Sequence, residues 1–476
     1  MQKISKFKKY QQNHEIHWDE VAKNLERWKG WGRYYRSRLQ EVYGFTIPKG
    51  MDILEIGCAR GDLLASLDPK KGIGIDLSGE MVKQANNRHP ELTFLHGDIH
   101  EINLKEKFDY IILSDLINDL WDVEAVFHNI HTMCKPSTRI ILNYYNRLWE
   151  WPLAVAQKLR LAQPTLPQNW LSEEDVRNLL YLGGFEVVRD WEEVLAPLPF
   201  PILSWLCNHF LVRLWPFRSL AMTAFTLART IPVQDKKEYS VTVVVPARNE
   251  EGNIKHIFER IPQMGKGTEL IFVEGHSNDN TYAVIEKEIQ NHSTVKASLY
   301  RQEGKGKGDA VRMGYAHASG DILMILDADL TVPPEDLPRF YQAIQSGRGD
   351  FINGVRLVYP MEKQAMRFFN YIGNKAFSML FSFLLDQPVK DTLCGTKVLR
   401  KVDYNRIAFN RSYFGDFDPF GDYDLLFGAA KLNLKIVDLP IRYEERIYGT
   451  TNIQRWKHGW LLLKMVVFAA RRIKFI

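Results

Sequence analysis

The acids best placed to do chemistry are Asp327 and Asp329, one residue apart after the apolar run Ile322-Leu323-Met324-Ile325-Leu326. A short apolar run bounded by Gly320-Asp321 and by these acids reads as a buried parallel strand with its carboxylates at the C-terminal end. At the mouth of an open α/β sheet, paired oxygens suit a hard divalent ion, Mg²⁺ or Mn²⁺, that also grips a diphosphate. Spacing alone does not decide this, because Asp416-Phe417-Asp418 and Asp422-Tyr423-Asp424 repeat it. The upstream Gly304-Lys305-Gly306-Lys307-Gly308 adds glycines that permit close backbone approach and lysines that can face phosphate. A second constellation lies near the start of the chain: a strand, then a turn holding Gly57 and Gly61, then Asp76 and Asp98 at the ends of two later strands. Carboxylates recurring at strand ends beside a glycine turn favour a nucleoside site.

These groups need two scaffolds. A chain of 476 residues exceeds one usual core, and 45% hydrophobic with 25% charged residues is ordinary globular composition. The formal charge of +5 gives no footprint for nucleic acid. Cys58, Cys134, Cys207 and Cys394 are scattered, with neither metal-pair spacing nor a disulfide framework, which fits a reducing cytoplasm. The first ten residues are polar and basic, unlike a signal peptide. The expected order is a helical segment over 1–44 that either caps a site or, the favoured reading, packs on the first sheet, an α/β domain over 45–192, an apolar connecting segment over 193–238, a second α/β domain over 239–456 and a basic amphipathic helix over 457–476. Ser172 and Asp175 predict a capping box at a late helix of the first domain.

Over residues 45–192 the chain resembles the class I methyltransferases that use S-adenosyl-L-methionine, with their Rossmann-like fold. Glu55-Ile56-Gly57-Cys58-Ala59-Arg60-Gly61 is similar to their glycine-rich motif. The resemblance implies that Glu55 and Gly57 to Gly61 serve the cofactor's methionine part, Asp76 the ribose and Asp98 the adenine edge, with Ser114 and Asp115 bordering the transfer cleft. The turn lacks Gly-x-Gly-x-x-Gly spacing, which disfavours a dinucleotide. Methyl transfer asks mainly for alignment and exclusion of water. No residue declares itself as a base; Asn143-Tyr144-Tyr145-Asn146-Arg147 is either an acceptor contact or an ordinary polar loop.

Over residues 239–456 the chain resembles family 2 glycosyltransferases of GT-A fold, and among them the dolichol-phosphate mannosyltransferase type. Val245-Pro246-Ala247-Arg248-Asn249-Glu250 is similar to the family's nucleotide-edge segment, which assigns Pro246, Ala247, Asn249 and Glu250 to the donor. Glu274 matches a base-contacting acid, while Gly275 stands where many members have a second Asp. By the same resemblance Asp327 and Asp329 hold metal and sugar nucleotide, with Asp329 catalytic, and Lys307 contacts the donor. Asp391 to Lys397 forms an acceptor-side loop, Asp424 or Asp422 is the catalytic acid, and Arg446 and Thr450 belong to a loop that closes over phosphates. A hydroxyl acceptor needs a general base, whereas a lipid phosphate is already anionic and leaves that acid to orient cations.

The apolar stretch between Leu195 and Ala228, broken by His209, Arg213 and Pro216, either lies on a membrane surface or packs between domains. Phe368 to Leu385 and the C-terminal helix suggest peripheral contact with an anionic membrane, with Leu462, Val466 and Phe468 in lipid and Lys464, Arg471 and Arg472 at headgroups. The alternative is a core helix or a dimer face. The resulting expectation is a bifunctional enzyme at the cytoplasmic face of a membrane. It would methylate one acceptor and transfer a sugar, with inversion, to a polyprenyl phosphate or glycolipid. The competing expectation is a soluble glycan acceptor beside a first domain that only binds S-adenosyl-L-methionine or acts as a scaffold.

Overall fold

The computed structural model describes residues 2–25, 32–159, 161–198, 200–233, 237–359, 368–413, 421–446, 448 and 455–475. Side-chain surroundings are described for these except residues 2–5, 201, 368–371, 412, 422 and 455–458. Two compact units divide essentially at Ile231 and Pro232.

The first unit is built on β1 (Asp52–Ile56), β2 (Lys71–Asp76), β3 (Thr93–His96), β4 (Phe108–Ser114), β5 (Cys134–Tyr145), β6 (Phe185–Glu193) and β7 (Thr223–Thr230). Their spatial order is β3-β2-β1-β4-β5-β7-β6. The sheet is parallel through β5, and β7 runs antiparallel to both β5 and β6. Strand order reverses between β1 and β4, which opens a crevice beyond their C-terminal ends. Ile53, Leu54, Ile111, Ile112 and Leu113 are completely buried, because helices cover both faces of a parallel sheet. At the late helix Glu173–Leu182, Ser172 accepts from the Asp175 N–H and Asp175 accepts in return, forming the expected capping box.

Residues 223–230 depart from the expected connecting segment. They supply β7, which pairs with β5 from Arg139↔Arg229 to Tyr145↔Thr223 and sits inside the sheet. The proline- and tryptophan-rich stretch before this strand obscured its alternation.

The second unit contains β8 (Val241–Ala247), β9 (Thr268–Glu274), β10 (Lys296–Arg301), β11 (Ile322–Ile325), β12 (Phe351–Val355), β13 (Lys397–Arg400) and β14 (Ile436–Pro440), in the order β10-β9-β8-β11-β13-β12-β14. Only β13 is antiparallel to its neighbours. Two-residue alternation sends Val244, Leu323 and Ile325 to one core layer and Val243, Val245 and Met324 to the other. The order reverses between β8 and β11, so the residues after Ala247 and after Ile325 face one crevice.

The C-terminal helix, Arg455–Ala469, corrects the lipid assignment made from sequence. Leu462, Met465 and Ala469 enter the protein core with Phe381, Leu384 and Leu385, while Val466 and Phe468 pack partly buried against it. The i, i+3, i+7 spacing of the three buried residues is a core stripe. The residues facing outward are Trp460, Leu463 and Val467, with Met379 exposed on helix Phe368–Leu385. No helix among the described residues is long and apolar enough to cross a membrane.

Candidate functional site

In the first unit β1 ends on a left-handed turn: φ is 74° at Gly57, 46° at Ala59 and 74° at Gly61. Glu55, Gly57, Asp76, Asp98, Ser114 and Asp115 all line one cavity of about 310 Å³. Gly61 does not line it; a Cβ there would lie 2.4 Å from Phe94, so this glycine lets the turn pack on β3. Glu55 is almost fully buried and accepts the Leu64 N–H at 3.1 Å, tying the strand to the helix that follows. Burial pushes its carboxyl well above the ordinary range.

Asp76 accepts the N–H of Ala59 at 2.8 Å with one oxygen and that of Ser78 at 2.9 Å with the other. It therefore organises the turn as well as facing the cavity. Burial moves its carboxyl up despite those two bonds. Asp98 accepts from Gln11 Nε2 and the His100 N–H, both at 2.9 Å, and from the His100 ring. Burial opposes its ionisation, but the His100 and Gln11 bonds outweigh it and hold the carboxyl below the ordinary range. Asp115 has φ 51° and accepts from Tyr35 Oη at 2.8 Å and from Asn143 Nδ2. Asn143 in turn accepts from Tyr43 Oη at 2.7 Å. Burial lifts Asp115 to about 6. Asn143, which the sequence left between acceptor contact and polar loop, is thus a buried support of Asp115.

Of the two readings of the N-terminal segment, sequence favoured packing over capping, and helix Gln2–Asn24 in fact walls the cavity. Tyr10, His14, Trp18 and Val21 line the cavity, so this segment contributes to the site besides packing on the unit. Asp19 anchors it by accepting the Glu80 N–H at 3.0 Å. The four-residue spacing of 10, 14 and 18 was the signal available.

In the second unit Pro246 and Ala247 close β8, and the Gly275 N–H donates to the Ala247 carbonyl at 2.9 Å. Asn249, at φ 58°, exchanges bonds with the loop after β9: its N–H donates to Ser277 Oγ at 2.9 Å and its Oδ1 accepts the Asn278 N–H at 2.8 Å. Glu274 is buried, accepts the Ser277 N–H at 2.5 Å and faces Arg301 at 3.7 Å. These contacts shape a polar edge beside the strand ends.

Cations already meet both acids after β11. Lys307 Nζ lies 2.6 Å from Asp327, and Arg446 reaches Asp329 at 2.6 Å with one nitrogen and Glu250 at 3.1 Å with the other. Burial works against charge on Asp327, but Lys307, Arg356 and Lys397 together hold its carboxyl below the ordinary range. Burial lifts Glu250 to about 7, with Arg446 pulling the other way. Asp329 also accepts from Thr331 Oγ1 at 2.8 Å. A Cβ at Gly395 would stand 2.1 Å from Asp327 Oδ2 and 2.2 Å from Lys307 Nζ, so only glycine leaves room for this pair. Asp309 shapes the glycine-lysine loop by accepting the Gly304 N–H and Gln302 Nε2, each at 3.0 Å.

The acceptor-side loop is pinned from within. Asp391, fully buried, takes a bidentate contact from Arg356 at 2.7 and 2.9 Å and further bonds from Asn374 Nδ2 and the Leu393 N–H, both at 3.0 Å. Tyr423 Oη donates to Thr392 Oγ1 at 3.2 Å, joining helix Asp422–Lys431 to this loop. Asp424 is buried and accepts from Arg411 Nε at 2.8 Å. The Asp422 side chain and Thr450 lie outside the described residues. Among the described residues no three His, Cys, Asp or Glu side chains converge as a metal-ligand set. Asp327 and Asp329 fit a hard ion in donor type, with phosphate oxygens and water completing its shell.

Known families match the same two regions. The profile of glycosyl transferase family 2 matches residues 242–407, and a methyltransferase-domain profile matches residues 27–190. A dolichol-phosphate mannosyltransferase of Pyrococcus furiosus is 28% identical over 246 residues, covering 49% of this chain and 67% of that protein. Solved structures similar to the chain include an S-adenosylmethionine-dependent methyltransferase of Mesorhizobium loti, at 18% identity over 39% of this chain and 94% of that one, TM-score 0.31. Another is the magnesium protoporphyrin IX methyltransferase of Synechocystis, at 19% identity over 42% of this chain and 83% of that one, TM-score 0.29. At the level of family models, then, the Rossmann-like first unit matches a methyltransferase domain and the GT-A-like second unit matches glycosyl transferase family 2.

Proposed function

We propose that the second unit transfers a sugar, with inversion, from a nucleotide sugar to a polyprenyl phosphate or similar anionic glycolipid, and that the first unit transfers a methyl group from S-adenosyl-L-methionine. The observation that carries the glycosyl half is the pairing of Lys307 with Asp327 and of Arg446 with Asp329 and Glu250 at the strand ends. A donor diphosphate offers the two cations a second set of oxygens. Asp327 and Asp329 would hold a divalent ion, which would supply Lewis-acid stabilisation of the leaving diphosphate. Arg446 and Lys307 neutralise charge on the departing group, while Asn249 and Glu274 orient the nucleoside end.

Arg411 bears on the acceptor. Its guanidinium beside Asp424 suits an incoming phosphate, whose oxygen needs no deprotonation, so Asp424 orients the cation. Contact of the first unit with a membrane surface is supported by the apolar residues it leaves in water: Trp205, Trp215 and Ile202 in one segment and Trp151 and Val155 in another, each more than half exposed. Trp149 Nε1 donates to the Leu220 carbonyl at 2.9 Å and ties these segments together. Residues 196–230 contain no Asp or Glu, so nothing there repels anionic headgroups. In the first unit, Asp76, Asp98 and the Gly57 turn receive the nucleoside and methionine ends of the cofactor, and Asp115 borders the transferred methyl.

Titration calorimetry with S-adenosyl-L-methionine and with a panel of nucleotide sugars, with and without Mg²⁺ or Mn²⁺, tests both halves. Asp329→Asn is expected to weaken metal-dependent sugar-nucleotide binding and leave the methyl donor's affinity unchanged. Equal affinity and turnover in wild type and variant would remove Asp329 from the donor site. Turnover on polyprenyl phosphate should exceed that on a short soluble sugar; the reverse preference would restore Asp424 as a general base acting on a hydroxyl.

A further inference from the structure

His14 sits on the helix that walls the methyl-donor cavity and is 7% exposed. Its Nδ1 lies 3.0 Å from the Tyr10 carbonyl. A carbonyl only accepts, so Nδ1 carries a hydrogen, and in the neutral form of the ring Nε2 is the lone pair. Opposite stands Asp119, 9% exposed, in the turn after β4. Its Oδ2 accepts from Trp18 Nε1 at 3.0 Å, and its Oδ1 lies 4.0 Å from His14 Nε2. Among the described residues neither Nε2 nor Oδ1 has a hydrogen-bond partner. Both residues line the cavity that Gly57, Asp76 and Ser114 also line.

Two buried acceptors facing one another call for a donor between them. Burial pushes the Asp119 carboxyl up, while His14, Trp18, His17 and Gln168 pull it down. A carboxylate acceptor brings no proton and would face Asp119 charge to charge. A neutral amine attacks through a lone pair it already has and needs no base beforehand. A hydroxyl donates its single proton to Nε2 and becomes a competent nucleophile by losing it.

We propose that His14 and Asp119 form the acceptor end of the methyl-transfer cavity, where His14 Nε2 removes the proton of an alcohol hydroxyl. This rests on the reading of that cavity as the S-adenosyl-L-methionine site. In the step, the hydroxyl oxygen bonds to the methyl carbon as the carbon–sulfur bond breaks. The bonding pair stays on sulfur, giving S-adenosylhomocysteine, and the hydroxyl proton passes to Nε2. Asp119 is the positioning residue that stabilises the resulting imidazolium. The other titratable groups at this place are Tyr10, whose ring lies tilted by 36° against that of His14 with centroids 3.8 Å apart, His17 beside Asp119, and Asp98 beside Tyr10.

The test uses the full chain, methyl-labelled S-adenosyl-L-methionine and three probe sets: neutral methyl hexosides with lipid-phosphate hexoses, matched amino sugars, and uronic acids lacking other free hydroxyls. Label is expected on hydroxyl oxygen. His14→Gln should lower kcat about 100-fold or more while cofactor affinity by calorimetry stays within twofold. Asp119→Asn should lower kcat while leaving the acceptor KM and the cofactor affinity near wild type, the split expected of a residue that acts through His14. A second readout needs no acceptor: the ¹⁵N spectrum of labelled histidine should show His14 Nε2 as the unprotonated nitrogen at alkaline pH. Transfer confined to amines or carboxylates, no transfer while the cofactor binds, His14→Gln activity within threefold of wild type, or the opposite tautomer would each overturn the proposal. Failure of the cofactor to bind would instead overturn the reading of the cavity.

Discussion

Replacing Arg356 by Met should destabilise the second unit far more than an ordinary surface change. Asp391 has no contact with water and receives two of its hydrogen bonds from the Arg356 side chain, at 2.7 and 2.9 Å. Burial opposes its ionisation, yet Arg356 and Asn374 bring the carboxyl from its ordinary 3.8 to about 2. That displacement corresponds to about 2 kcal/mol of stability at neutral pH. Because the folded value is depressed, the contribution is present above about 3.8 and is lost as pH falls through about 2. Met fills the space of the stem but leaves a buried carboxylate without its cation, for a total cost of about 3–5 kcal/mol. In a unit of this size that is a drop in Tm of about 6–20 °C. Scanning calorimetry, with limited proteolysis to assign the transition to residues 232–474, measures it. The loss should be largest near pH 7 and shrink toward pH 4, where a raised Asp391 takes up its proton. Asp391→Asn should relieve part of the loss in the double variant. A destabilisation below about 1 kcal/mol, or strict additivity of the two changes, would refute this account of the acceptor-side loop.

Gly395→Ala should force Lys307 and Asp327 apart and weaken sugar-nucleotide binding about 10- to 100-fold, the worth of one charge-assisted contact, with the fold retained; unchanged affinity would contradict the crowding at this glycine. Glu250, at about 7, loses its cation when a diphosphate draws Arg446 away, so its pKa rises further and binding near pH 7 should take up protons. Calorimetry in buffers of different ionisation enthalpy reads this uptake, which Glu250→Gln should abolish. Asp76→Ala should cost about 1–3 kcal/mol of S-adenosyl-L-methionine affinity, since it removes a ligand contact and releases the Ala59 and Ser78 N–H groups; equal affinities would take Asp76 out of the site. The full chain should float with anionic liposomes, and Trp151→Glu with Trp215→Glu should reduce flotation without changing S-adenosyl-L-methionine affinity; sedimentation of the wild type away from lipid would count against a membrane-side acceptor.

The parallel strands were legible because burial on both faces writes continuous apolar runs, and turns at Gly57 and acids at Asp76 and Asp327 punctuate them. What sequence concealed was set by tertiary partners. The pairing of Arg446 with Glu250 joins residues far apart in the chain, and no local period announces it. Leu462 and Leu463 read alike in a helix of mixed polarity, yet one is core and the other faces outward, because only the packed helix Phe368–Leu385 decides which face is covered. Gly61 resembled a ligand-facing glycine, and the ring of Phe94 gives it a packing role instead. His14 carried no motif; its meaning comes from the carboxylate it faces.

Arg446 gives the glycosyl site an inbuilt rival. Its guanidinium is held by Glu250 and Asp329 before any diphosphate arrives, so under the proposed donor role capture would be an exchange of partners and the measured affinity a difference between two sets of contacts. Added salt weakens both sets, and affinity should respond to ionic strength less steeply than at an open basic pocket. The same rivalry acts after transfer. A spent nucleotide diphosphate competes for Arg446 with two carboxylates that never leave, whose claim on the guanidinium favours its departure. Removing Glu250, the one of the two with no part in the proposed metal site, would tighten the hold on product, so a variant that binds nucleotide better can turn over more slowly.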